Sequence, residues 1–153
     1  MFVLLRQLRR DRRRAALDRP AGGAGALQLR HVDAGSCNAC EHELQATANP
    51  FHDLARHGLS ITASPRHADV LVVTGPVTTR METALHRAYE AMSEPRRVAA
   101  LGDCAVGCGF FVRSDEVVGP VEDVLPVDVR IPGCPPEPEV IARHLLPLLG
   151  RDA

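Results

Sequence analysis

Apolar and polar positions along the chain switch repeatedly between two periods. LQLRHVDAG, from Leu27, reads as a strand that runs into Cys37. Glu41 to Ala48 fits a helical turn or two, and Asn49-Pro50 restarts a helix with Asn as cap and Pro at its first position, ended by Gly58. ADVLVVTG, Ala68 to Gly75, is a continuous apolar run, the mark of a strand buried on both faces. Thr79 to Ser93 takes the helical period, with Met81, Leu85, Ala88 and Met92 on one side. RVAALGD then runs into Cys104, and VDVRIPG alternates Val127, Val129 and Ile131 before Cys134. Pro138 to Leu149 closes the pattern as a helix ending at Gly150. Strands alternating with helices predict an α/β domain over residues 27–150, with a mostly parallel sheet flanked by helices.

The first 20 residues follow another logic. FVLLRQLRRDRRRAAL reads as a basic amphipathic helix, with Phe2, Leu4, Leu5 and Leu8 near its start. Residues 1–20 are expected to form an arm joined by a flexible linker, residues 21–26, rich in Gly and Ala. The net charge of -1 hides an asymmetry, because Met1 to Pro20 holds seven of the 18 basic residues, all of them Arg, against Asp11 and Asp18. The arm is basic and the body mildly acidic. No run of 18 apolar residues exists, so no spanning helix is predicted. Arg9-Arg10 lacks the apolar stretch that an export signal needs. Aromatics at 3% leave few stacking platforms for bases, and with the acidic body this argues against nucleic acid as a partner.

Five cysteines, an odd number, do not suggest a disulfide framework. Three strand-like segments end in Cys37, Cys104 and Cys134, and sites in open parallel sheets form outside the carboxyl ends of strands. Cys40 sits a turn from Cys37, so four thiols from three loops are expected around one point. One CxxC followed by lone cysteines after gaps of 63 and 29 residues is more dispersed than the compact pairs of a zinc knuckle. An iron–sulfur cluster fits best; zinc, thiol chemistry and plain burial stay open. Covalent haem attachment would need His after the second Cys, where Glu41 stands.

GSCNACEHE, SPRHADVLVVTGPVT, LGDCAVGCGFF and LPVDVRIPGCPP together resemble the small electron-transfer subunit shared by energy-converting [NiFe] hydrogenases, formate hydrogenlyase and respiratory complex I. The resemblance covers roughly Leu27 to Leu149 and implies one [4Fe–4S] cluster in a flavodoxin-like domain. It implies Cys37, Cys40, Cys104 in GDCA and Cys134 in PGCPP as ligands. Cys108 falls where such subunits usually carry the second Gly of a pair, and it is expected as a small buried residue. Complex I members carry adjacent cysteines where this chain has a spaced CxxC, so the hydrogenase-like branch is favoured. The chain stops soon after PGCPP, which leaves one cluster, the proximal one. Glu43 matches a family Glu three residues after the second Cys, and Arg66 a family Arg near the cluster; both are candidates for tuning it. Of the seven His, only His42 and His67 fall inside these motifs.

The implied protein is a subunit of an oxidoreductase complex without chemistry of its own, relaying electrons to or from a large-subunit active site. Its expected partners are a hydrogenase large subunit or its complex I homologue, a ferredoxin-like cluster subunit and membrane-embedded subunits. Its expected place is peripheral, on the cytoplasmic side of the cell membrane. A quinone-reducing complex I-like role and a zinc-stabilised interaction module are the alternatives.

Overall fold

The computed structural model describes residues 25–110 and 114–150, so the basic arm and residues 21–24 of the linker lie outside the described residues. The described residues form seven strands: β1 (Leu27–Asp33), β2 (Leu59–Ile61), β3 (Val70–Thr74), β4 (Val77–Thr78), β5 (Arg97–Leu101), β6 (Val117–Gly119) and β7 (Val129–Ile131). Five of them form one parallel sheet in the order β2-β1-β3-β5-β7, and β4 with β6 makes a small antiparallel ribbon. That order is the flavodoxin-type doubly wound arrangement, with its switch point between β1 and β3. The helices are α1 (Ala39–Ala46), α2 (Thr79–Glu90), α3 (Asp103–Val106), α4 (Val121–Val124) and α5 (Pro138–Leu145).

All of β3 and β5 is buried, as the apolar run Ala68 to Gly75 foretold for β3. Alternate residues face two cores. Leu29, Val70, Val72, Leu101 and Ile131 meet Leu44 of α1 and Ile141 and Leu145 of α5. On the other face Leu71, Val73, Val98 and Ala100 meet Leu85 of α2 and Val121 of α4. The amino edge of the sheet holds charge: Asp69 accepts from the Gln28 N–H (2.8 Å) and Asp128 from the Val98 N–H (2.8 Å). Between these carboxylates the buried Arg97 guanidinium donates to the Leu148 carbonyl (3.0 Å).

Two predicted helices are shorter than expected. Asn49 does cap the chain, its Oδ1 accepting from the Phe51 and His52 N–H groups at 2.8 and 3.0 Å. Asp53 then leaves helical geometry (φ 15°, ψ 72°), and only a 3₁₀ turn, Leu54–His57, precedes the left-handed Gly58. The final helix tightens into a 3₁₀ turn at Leu146–Leu149, because Pro147 has no N–H to continue α5. The three-residue strand β2 and the β4–β6 ribbon were not anticipated; segments so short carry little periodicity.

The register positions the site. Asp33 pairs with Thr74, Thr74 with Leu101, and Leu101 with Ile131, so the carboxyl ends of β1, β3, β5 and β7 stand level. Cys37 follows Asp33 by four residues, and Cys104 and Cys134 follow Leu101 and Ile131 by three each.

Ile141→Ala would empty a fully buried site between α5 and the sheet. It should cost about 2–5 kcal/mol, measured as a lower midpoint in denaturant unfolding.

Candidate functional site

Above the level strand ends lies a pocket lined by Cys37, Cys40, Cys104 and Cys134, together with Ser36, Ala39, Gly75, Pro76, Asp103, Gly133 and Pro135. The thiols come from the β1–α1 loop and α1, from α3 and from the loop after β7. β3 separates the first pair from the others in the sheet, and it contributes no thiol. Its exit must therefore stay low. A Cβ on Gly75 would stand 2.4 Å from the Ser36 nitrogen, at a φ of +75°, so only glycine lets the two loops lie this close. Gly102 does the same on the far side, where a Cβ would meet the Cys40 Sγ at 2.4 Å. Cys40 thus reaches across β3 to the end of β5.

Backbone bonds shape each loop. Asp33 Oδ1 accepts from the N–H groups of Gly35 (2.8 Å) and Ser36 (2.7 Å), which turns the chain toward Cys37. Asn38, in left-handed geometry, leads into α1. Asp103 ties the other two loops together: its N–H donates to the Gly133 carbonyl (2.8 Å), and its Oδ1 accepts from the Gly133 N–H (2.7 Å). The loops bearing Cys104 and Cys134 are thereby fixed to one another.

A polar network lies behind Cys40. The Ser36 hydroxyl donates to Glu41 Oε2 (2.6 Å), and the fully buried Thr74 hydroxyl donates to Glu41 Oε1. His31 Nε2 lies 2.9 Å from Thr74 Oγ1 and 3.5 Å from Glu41 Oε1. Burial pushes the His31 pKa below its ordinary value, outweighing the opposite pull of Glu41 and Asp33. The Cys40 thiol is pushed up to about 12, by burial first and then by the charges of Glu41, Cys37, Cys104 and Cys134. Among the described residues, no cationic side chain lines the pocket. This donor set fits a group that brings its own positive charge and soft metal atoms. Among the described residues, no three His, Cys, Asp or Glu side chains are grouped to hold a single ion.

Other predicted residues lie elsewhere. Cys108 is exposed, not buried: the left-handed Gly107 turns the chain outward after α3, and the Cys108 Sγ lies 3.5 Å from Asp103 Oδ1. Arg66 is exposed in the 3₁₀ turn entering β3, at the amino edge of the sheet opposite the pocket, with His67 beside it. Glu43 is half-buried on α1 and outside the pocket lining, and His42 is exposed. Sequence reasoning missed Asp103, Glu41, Ser36, Thr74 and His31. The Asp in GDC and the Glu directly after the CxxC were visible, but their partners arrive from other strands.

The family described as NADH ubiquinone oxidoreductase, 20 Kd subunit, matches residues 37–148. The chain is 44% identical over 111 residues to the probable membrane-bound hydrogenase subunit mbhJ of Pyrococcus furiosus, covering 72% of this chain and 66% of that protein. It is 46% identical over 103 residues to an NADH-quinone oxidoreductase subunit of Carboxydothermus hydrogenoformans, covering 67% of this chain and 62% of that one. Among solved structures, a chain of the membrane-bound sulfane sulfur reductase, an archaeal respiratory membrane complex, superposes with a TM-score of 0.69 at 27% identity, covering 82% of this chain and 71% of that chain. A chain of an NAD+-reducing [NiFe]-hydrogenase shares the fold, with a TM-score of 0.64 at 20% identity over 83% of this chain and 93% of that chain.

Asp103→Ala removes the acceptor of the Gly133 N–H and should cost about 1–3 kcal/mol. Amide exchange at Gly133 and alkylation of Cys134 in the metal-free protein should both quicken, whereas Asp103→Asn, which keeps an oxygen acceptor, should stay near the parent.

Proposed function

This chain belongs to the NADH ubiquinone oxidoreductase 20 Kd subunit family, and from that membership we propose that it is an electron-transfer subunit holding one [4Fe–4S] cluster on Cys37, Cys40, Cys104 and Cys134. The observation that carries the reading is the meeting of these four thiols in one pocket at the carboxyl edge of the sheet. When bound, such a cluster supplies one-electron transfer. The protein's part is to hold the four thiolates, keep cationic side chains out of the lining and fix the loops through Asp103 and Asp33. Four soft donors spread around a pocket suit a cluster, in which each thiolate meets its own iron, better than one zinc ion gathering all four.

The complex is a membrane-associated oxidoreductase of the [NiFe] hydrogenase or formate hydrogenlyase type, in which the cluster exchanges electrons with a large-subunit active site. Its partners are that large subunit, a ferredoxin-like cluster subunit and membrane-embedded subunits. The spacing of Cys37 and Cys40 and the likeness to the membrane-bound hydrogenase subunit favour this branch. The likeness to a subunit of an NADH-quinone oxidoreductase keeps a quinone-reducing complex as the second reading. Among the described residues no helix is long and apolar enough to cross a membrane. Attachment falls instead to the basic arm, residues 1–20, whose Arg side chains contribute roughly 1 kcal/mol each beside anionic headgroups. The cluster domain, 27–150, is the docking body, on the cytoplasmic side.

Anaerobically purified protein should hold about four iron and four sulfide per chain. Cys37→Ala, Cys40→Ala, Cys104→Ala and Cys134→Ala should each abolish the cluster, and Cys108→Ala should retain it. One zinc per chain without sulfide would overturn the reading.

Deleting residues 2–19 should leave the iron content unchanged and release the complex from membranes at moderate salt, measured by fractionation. Unchanged membrane association would remove the arm from this role.

A further inference from the structure

Glu41 directly follows Cys40, yet its side chain is absent from the pocket lining. Its carboxylate is instead gripped from two sides, by the Ser36 hydroxyl (2.6 Å) and by the Thr74 hydroxyl of β3. Thr74 spends its one proton on Glu41, so its oxygen accepts from His31 Nε2–H across 2.9 Å. The donors form a chain, His31 to Thr74 to Glu41, closed by Ser36, and the Glu41 side chain is 12% exposed.

We propose that Glu41 is a positioning residue that holds a fixed negative charge beside the cluster site and so lowers the potential at which a cluster there accepts an electron. The inference rests on the cluster reading of the pocket and deepens it.

Three observations carry it. The charge is immobilised, because hydroxyls from the β1–α1 loop and from the buried end of β3 hold both carboxylate oxygens. It is not cancelled within the pocket: among the described residues no cationic side chain lines it, and burial of the half-buried His31 ring disfavours the imidazolium, outweighing the pull of Glu41 and Asp33. It is close, because Cys40 is its chain neighbour. A charge in a poorly solvated site acts several-fold more strongly than one in water, and net charge is a recognised lever on cluster potential. An acid in the first turn of a helix can also serve the helix dipole alone. That role would leave the potential untouched.

The test uses the full-length chain reconstituted anaerobically with iron and sulfide. Iron and sulfide content and the midpoint potential, from a titration followed by electron paramagnetic resonance, are measured for the parent, Glu41→Gln, Glu41→Asn, Glu41→Asp and the remote control Glu90→Gln. The neutral variants should keep the cluster and show a less negative potential, with Glu41→Asp and Glu90→Gln near the parent. A loaded neutral variant at the parent potential overturns the proposal. So does loss of the cluster from both folded neutral variants while Glu41→Asp loads, which makes Glu41 an assembly residue. A parent that binds no iron or sulfide sinks the cluster reading itself, a result distinct from either.

Discussion

Asp33, Thr74, Leu101 and Ile131 stand in one row across the sheet, and the pocket depends on that row. Parallel backbone hydrogen bonds set it, and side-chain alternation guards it. A slip of one residue in β5 would move its end by about 3.3 Å and turn Val98 and Ala100 toward the opposite core. Because β3 and β5 are buried on both faces, such a slip would disrupt two cores at once. The hydrophobic layers thus hold the thiols in place by forbidding every register but one, and one layer also packs directly against Cys40.

Level strand ends alone would leave the thiols apart, since β3 stands between the strands that supply them. The gap is closed by omission and by tethering. Gly75 and Gly102 remove the side chains that would hold the loops apart, and Cys40 passes over the end of β3. Asp103 then joins the loops of β5 and β7 through paired bonds to one glycine. Apolar packing sets the coarse position, and a few polar contacts set the fine one.

Both scales bear on what the sequence disclosed. The run Val70–Thr74, the helical face through Leu85 and the strand-to-cysteine junctions were legible because each expresses a period or a local adjacency. The convergence of four thiols followed from the rule that parallel strands point one way. Residues whose meaning lies in a partner far along the chain were not legible. Thr74 reads as the last residue of a buried strand, and Glu41 as a helix-start acid, until the pairing of β1 with β3 brings them together. Arg66 was misjudged for the converse reason: it lies in a motif that ends at the pocket, but the length of β3 carries it to the other edge. Cys108 was misjudged because its exposure is decided by the backbone of Gly107, not by its own apolar character.

The pocket draws on residues from 36 to 135, and its last wall comes from β7, the edge strand, paired to β5 alone. During synthesis β1, β3 and β5 leave the ribosome first and can pair among themselves. β7 and the Gly133 bond to Asp103 come later, and α5, which covers β7, later still. The order of translation is therefore also an order of assembly, in which the vessel is closed by the last strand of its own sheet to emerge. A nascent chain halted before Val129 could hold most of its sheet while lacking one of the four pocket thiols and the loop that Asp103 grips, so a cofactor held by all four cannot be fully ligated until that strand has docked.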